Sequence, residues 1–166
     1  MPENPGLSSP GMNGILLPQV CLQTEDNRGI IRYMRKEYWS GGHTRHRLKY
    51  HIVWIPKYRK RVLRGKLAQR LRSLINQAAD INGWYIEELK IMHDHIHMLI
   101  QVKPDRAISR VINLIKGGTS RLIRQEFPEL DEFLWGDSLW ADGYFVETVG
   151  VAQEEMVKKY IREQQS

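Results

Sequence analysis

The apolar positions of this chain change period along its length. Residues 48–56, LKYHIVWIP, are rich in β-branched and aromatic side chains and stop at Pro56, which predicts a strand. Leu67, Leu71, Leu74, Ile75 and Ala78 then recur at helical spacing, and Gly83 stands where a left-handed C-terminal cap belongs. Two apolar runs, WYIEELKIM and HIHMLIQV, flank His93-Asp94 and predict a tight hairpin. A second helix carries Ile108, Val111, Ile112, Ile115 and Leu122 on one stripe. Gly117-Gly118 interrupts it, at about 1 kcal/mol per glycine relative to alanine, and predicts a bend. Residues 128–143 read as a loop region, YFVETVG as a short strand and residues 152–165 as a last helix. The order strand, helix, hairpin, helix, strand, helix predicts an α+β fold. An antiparallel sheet with helices packed on one face, in the ferredoxin-like or RRM-like manner, satisfies it.

Residues 1–33 are rich in Pro, Gly, Ser and Asn and show no periodicity, so a disordered extension is expected there. Met34 is followed at once by the basic RKEYWSGGHTRHR and is a candidate for the true start. A single folded domain is therefore expected over residues 34–166. No run of about 18 apolar residues is present to span a membrane, and GILLPQVCL is too short and broken by Pro18. The start has no charged head followed by an apolar core, as a secretory signal would. Cys21 is the only cysteine, which excludes a disulfide framework within the chain. A cytoplasmic protein with no membrane partner is expected.

Charge adds a partner class. The chain carries a net +6. Residues 1–33 hold Arg28 and Arg32 against Glu3, Glu25 and Asp26, so the positive charge lies wholly in the remainder. A basic domain favours a polyanion, most often nucleic acid. The stretch KYHIVWIPKYRKRVLRGK interleaves Tyr50, Trp54 and Tyr58 with Lys57, Arg59, Lys60, Arg61, Arg64 and Lys66. Basic groups there can grip phosphates and rings can stack on unpaired bases. A solvated helix start, with Trp54 in the core, accounts for the same residues.

Residues 93–98, HDHIHM, carry three histidines in six positions. On a strand His95, His97 and Leu99 point one way, and Ile96, Met98 and Ile100 the other. Residues two apart lie about 6.8 Å apart, so two imidazoles can converge on one ion. His93, roughly 13 Å from His97 on the same geometry, reads as a turn residue. Two polar residues on an exposed strand face remain the plainer alternative. In the last helix Val157 and Ile161 are four apart, as are Tyr160 and Gln164, on adjacent stripes of one face. Glu154, Glu155, Lys158, Lys159, Arg162 and Glu163 occupy the rest. A tyrosine hydroxyl there can act as a nucleophile if a cation lowers the cost of its ionised form, and a glutamine carbonyl is a hard oxygen ligand. A packing tyrosine and a solvated glutamine are the alternative.

Five pieces, LKYHIVWIPKYRKRVL, MHDHIHMLIQVKP, LIKGGTSRLI, LWADGYFVETVG and YIREQ, resemble in order and spacing the single-tyrosine HUH transposases. These are the TnpA proteins of the insertion-sequence 200/605 group, and the likeness covers about residues 45–165. The resemblance implies a histidine pair at His95 and His97 that holds Mg²⁺ or Mn²⁺ with Gln164 as third ligand. It implies Tyr160 as the nucleophile that cleaves and rejoins single-stranded DNA through a 5′-phosphotyrosine intermediate. His93 departs from it, since family members commonly have proline there. Asp94 can orient an imidazole or simply favour the turn. The resemblance implies DNA contact by Lys57, Arg59, Lys60 and Arg61, and in the second helix by Lys116, Ser120 and Arg121. Single-stranded DNA with hairpin ends and a second copy of the chain, the two sheets joining in a homodimer, are the implied partners. Three other readings stand beside it: a related HUH nuclease acting on repeated palindromes or in replication initiation, a non-catalytic RRM-like binding module, and a zinc hydrolase. The last needs a further strong ligand.

Overall fold

The computed structural model describes residues 23–25, 31–33, 39–40, 43, 45–134 and 138–164. The chain divides into a unit over Met1–Glu37 and a larger one over Tyr38–Ser166. In the first, β1 (Gln23–Glu25) and β2 (Ile31–Tyr33) pair antiparallel. The other residues of the expected extension at 1–33 lie outside those described, as does Met34.

The larger unit begins with a two-residue pair, β3 (Trp39–Ser40) and β4 (Arg45–His46). It continues through β5 (Leu48–Trp54), α1 (Gly65–Asn82), β6 (Tyr85–Ile91), β7 (Ile96–Val102), α2 (Ile108–Glu126), α3 (Asp131–Leu134), β8 (Phe145–Thr148) and α4 (Glu154–Glu163). The four long strands form one antiparallel sheet in the order β6-β7-β5-β8. This is the mixed helix and antiparallel-sheet fold that the element order predicts.

Alternation along the two central strands sends Ile52, Trp54, Ile96, Met98, Ile100 and Val102 to one face. There they meet Leu67, Leu71, Leu74 and Ile75 of α1 and Val111, Ile112, Ile115 and Ile123 of α2. Trp54 is therefore core. Gly83 ends α1 with φ at +66°, the left-handed cap that its position predicts. The opposite face is covered by α4, where Leu99, Val149 and Ile161 form a separate small cluster with Val157 at its edge.

Three local expectations change. The helix α2 runs unbroken through Gly117-Gly118 where a bend was expected. Its buried stripe, from Val111 and Ile112 to Thr119, Ser120 and Ile123, continues on both sides of the pair, and packing outweighs the glycine penalty. Residues 128–143 are not all loop, since a 3-10 turn at Pro128–Leu130 leads into α3. The last helix is shorter than 152–165, because a 3-10 turn at Val151–Gln153 precedes it.

Candidate active site

The histidine face of β7 looks toward α4 rather than toward α1 and α2. His95 stands just before β7 and His97 inside it, with ring centroids 4.9 Å apart and nearly perpendicular. His95 is held by its neighbour, its Nδ1 lying 2.6 Å from Asp94 Oδ1. Asp94 Oδ1 also lies 3.2 Å from His93 Nδ1, and Arg59 Nε donates to Asp94 Oδ2 at 3.1 Å. Burial alone would raise the Asp94 carboxyl. The hydrogen bond from His95, the charges of His95 and His93, and the bond from Arg59 outweigh it and hold Asp94 below the usual range. An ionised Asp94 can only accept, so its partner nitrogen on His95 carries a proton, and in the neutral form of that ring the lone pair is on Nε2.

His97 is buried and makes a different contact. Its Nδ1 lies 3.0 Å from His51 Nε2, and His51 Nδ1 lies 2.9 Å from Glu147 Oε1. The sheet register explains the meeting. His51 on β5 sits opposite Glu147 on β8 and opposite Leu99 on β7, and His97 is the diagonal neighbour two residues before Leu99 on the same face. The His51 and His97 rings are nearly coplanar, within 11° and with centroids 5.3 Å apart, so the contact runs in the plane of both rings. Burial, with His95 and His51 beside it, pushes the His97 imidazole down to about 4, so the ring is neutral at ordinary pH.

Tyr160 projects from α4 over this pair. Its ring stands edge-on to His97 at 5.5 Å and to His51 at 6.2 Å, and about half of the residue stays exposed. The helix α4 packs on this face of the sheet through Ile161, which meets Leu99 and Val149. Gln164 ends α4, and its Nε2 donates to the Tyr160 carbonyl at 3.5 Å. Its amide oxygen is the hard donor that this side chain offers a cation. Among the described residues no group of three or more His, Cys, Asp or Glu is placed to hold a metal ion. Both imidazoles have Nδ1 engaged within the fold, and their rings lie 4.9 Å apart.

Beside that small apolar cluster, α4 buries a network of charges against the sheet. Glu154 and Lys158, which helical patterning puts on the polar side, are buried, Lys158 completely. Lys158 Nζ lies 2.7 Å from Glu87 on β6 and pairs with Glu154. Lys49 Nζ on β5 lies 2.8 Å from Glu154 and also pairs with Glu87. Arg47 reaches Glu154 from the edge of the cluster. A β-bulge at Glu87 makes this possible. Glu88 is paired with Leu99 and so faces α4, where it meets Arg162. The extra residue turns Glu87 to the same side, although successive strand residues normally alternate. Burial would raise the Glu87 carboxyl, but the bonds from Lys158 and Lys49 outweigh it and hold it low.

The residues read as DNA contacts fall into two groups. Lys57 and Arg59 lie in a 3-10 turn after β5, and Arg59, Lys60 and Arg61 are exposed. Tyr58 and Arg59 have φ of +57° and +51°, a left-handed conformation that side chains disfavour. That turn carries Arg59 to Asp94. In α2, Arg121 is exposed, whereas Lys116 and Ser120 are engaged inside the fold. Lys116 Nζ donates to the carbonyls of Ala141, Asp142 and Gly143 at 2.7–3.1 Å. Ser120 is buried and its Oγ accepts the Leu139 N–H at 3.0 Å. His51, Glu147 and the buried ion cluster were not singled out from sequence. The available signal was the alternation in KYHIV, which places Lys49 and His51 on the face that β7 gives to His97.

Among the described residues no helix is long and apolar enough to cross a membrane. The family model described as "Transposase IS200 like" matches residues 44–164. The ISDra2 transposase TnpA of Deinococcus radiodurans is 34% identical over 119 residues, 72% of this chain and 85% of that protein. The transposase for insertion sequence element IS200 of Salmonella typhimurium is 32% identical over 125 residues, 75% of this chain and 82% of that one. A candidate transposase from Deinococcus radiodurans, solved at 1.90 Å, superposes with a TM-score of 0.64 at 30% identity, covering 77% of this chain and 98% of that chain. A REP-associated tyrosine transposase bound to a REP hairpin shares the fold at a TM-score of 0.52 and 14% identity, covering 74% of this chain and 68% of that one. With more than two thirds of its length matched by the family model and by these relatives, the chain belongs to the IS200-like transposases.

Proposed function

We propose that this transposase cleaves and rejoins single-stranded DNA through a covalent bond to Tyr160. One observation carries the reading. A half-exposed phenol stands edge-on, 5.5 Å ring to ring, beside a neutral buried imidazole whose neighbour His95 completes a two-nitrogen donor pair. His95, His97 and Gln164 are the residues to hold a divalent ion, Mg²⁺ or Mn²⁺. Bound there, such an ion supplies Lewis-acid charge at a scissile phosphate. Neutral ligands leave that charge undiminished, whereas a carboxylate would cancel part of it.

The Tyr160 oxygen attacks the phosphorus in line, the bridging 3′ oxygen leaves as a free hydroxyl, and the 5′-phosphate stays on the tyrosine. The new phosphotyrosine ester replaces the broken phosphodiester, so attack by another 3′-hydroxyl restores a continuous strand without ATP. Strand transfer rather than hydrolysis is the outcome. Lys57, Arg59, Lys60 and Arg61 follow β5 toward Asp94 and provide a cationic border for the phosphate backbone. Arg121 on α2 is the accessible basic group of that helix. The substrate is single-stranded DNA folded into hairpins at the element ends, and the working form is a homodimer.

The test uses a labelled single-stranded oligonucleotide carrying the flanking palindrome, with Mg²⁺ or Mn²⁺. Wild type should give a protein–DNA band that survives SDS. The band should vanish with Tyr160→Phe or EDTA and be absent on duplex DNA. Hairpin binding with intact ends and metal but no covalent band would move the reading to a non-catalytic binding module. Sedimentation of the free protein checks the dimer.

A further inference from the structure

His51 belongs to no part of the chemistry above, yet it is buried directly behind His97. We propose that His51, seated by Glu147, is a positioning residue that fixes His97 in the tautomer whose Nε2 is the metal donor. The inference rests on the metal pair of the proposed function. It concerns which proton each ring carries, and that can be read without metal or DNA.

The chain of contacts decides the protons. Glu147 is a carboxylate on the edge strand β8, half exposed, and as an anion it accepts only. The 2.9 Å contact therefore places a proton on His51 Nδ1. A neutral His51 then has a lone pair on Nε2, and the proton in the 3.0 Å contact to His97 must sit on His97 Nδ1. His97 is left with its lone pair on Nε2. Asp94 imposes the same tautomer on His95 from the other side. Two acceptors of different kind, one carboxylate and one imidazole backed by a carboxylate, thus present two Nε2 lone pairs from adjacent rings. A solvated imidazole prefers the opposite tautomer, so without His51 the ring would have to shift its proton before ligating.

His51 also explains why an imidazole fits here better than a second acidic group. It lies within 11° of coplanar with His97 and meets Phe145 and Tyr160 edge-on at 6.2 Å each, so one ring serves as acceptor and as packing surface. A carboxylate in its place would add an anion next to the site where the scissile phosphate must come. Glu147 keeps its charge one ring further away, at the rim.

Two readouts test this on the full chain. The first is the long-range ¹H–¹⁵N spectrum of the histidine rings in metal-free protein at pH 8. His97 should show a protonated Nδ1 and a bare Nε2 in wild type. The second is Mn²⁺ binding followed by the EPR signal of free Mn²⁺. His51→Phe keeps a ring of similar size but removes the acceptor, and should weaken Mn²⁺ binding about 10- to 100-fold while His97 reverts to the Nε2–H form. Glu147→Gln, at a half-exposed position that does not threaten folding, should weaken it less. A wild-type His97 protonated on Nε2 overturns the proposal, and so does wild-type Mn²⁺ affinity in His51→Phe. If wild type binds no Mn²⁺, the metal part of the proposed function fails, and the ring spectra of wild type and His51→Phe alone decide the role of His51.

Discussion

Glu154→Gln is the sharpest probe of how the nucleophile helix is held. Glu154 is the hub of the buried cluster, meeting Arg47, Lys49 and Lys158, and Glu87 meets the two lysines. Three cations thus share two buried carboxylates, with the exposed Glu155 at the rim counting for little. A single contact at 2.8 Å is worth about 6 kcal/mol of gross attraction at an effective dielectric of 20, most of it offset by desolvation. Removing one carboxylate charge, with no change of shape, leaves Lys49 and Lys158 sharing Glu87 and takes the Glu154 charge from Arg47. Breaking a buried pair in this way costs about 3–5 kcal/mol. Lys158→Met acts in the opposite direction. It leaves two cations with two carboxylates and an apolar stem in the cavity, so its cost should stay below about 2 kcal/mol. The assay is urea unfolding by tryptophan fluorescence. At a slope of about 2 kcal/mol/M, Glu154→Gln should lower the midpoint by roughly 2 M. Amide exchange in α4 should rise first, because the helix can leave the sheet locally while the α1/α2 core stays intact. A Glu154→Gln protein within about 1 kcal/mol of wild type, with protected α4 amides, would refute the reasoning. So would a Lys158→Met protein less stable than Glu154→Gln.

The other expectations are smaller. Asp94→Asn takes the anionic acceptor from His95 and from Arg59, and should weaken Mn²⁺ binding about 10- to 100-fold in titrations that leave the far-UV spectrum unchanged. Glu87 sits below its ordinary value of 4.5, so its contribution is fully present above that pH and is lost as pH falls through the lower folded value. The stability gap between wild type and Glu87→Gln should therefore be flat from neutrality to about pH 4.5 and narrow below it, as urea midpoints across pH would report. Gly83→Ala forces a side chain into a φ of +66° at the end of α1 and should cost about 1 kcal/mol, although nothing crowds the added carbon. A melting temperature unchanged within error would contradict that.

Periodicity alone determined most of the fold. The strand at 48–54, the α1 stripe with its Gly83 cap, the hairpin around His93-Asp94 and the apolar face of α2 are all local patterns. Each repeats with the period of its own element, which is why they could be read without the sheet order. The inward and outward alternation of β7 likewise separated His95, His97 and Leu99 from the core residues between them. The five motifs marked the family because their order along the chain carries it. Other features required the tertiary structure, because their causes lie far apart in sequence. Gly117-Gly118 predicts a break in isolation, and only the packing on both sides of it keeps α2 one continuous helix. Glu154 and Lys158 look like solvated helix charges until the bulge at Glu87 and the inward-facing Lys49 supply partners across the sheet. His51 and Glu147 are ordinary strand residues until the register sets one opposite the other and both beside His97. A side chain's own pattern tells which face it occupies. What waits on that face, and hence whether a charge is buried or an imidazole oriented, is set by pairing across 46 residues of chain for His51 with His97 and 96 for His51 with Glu147.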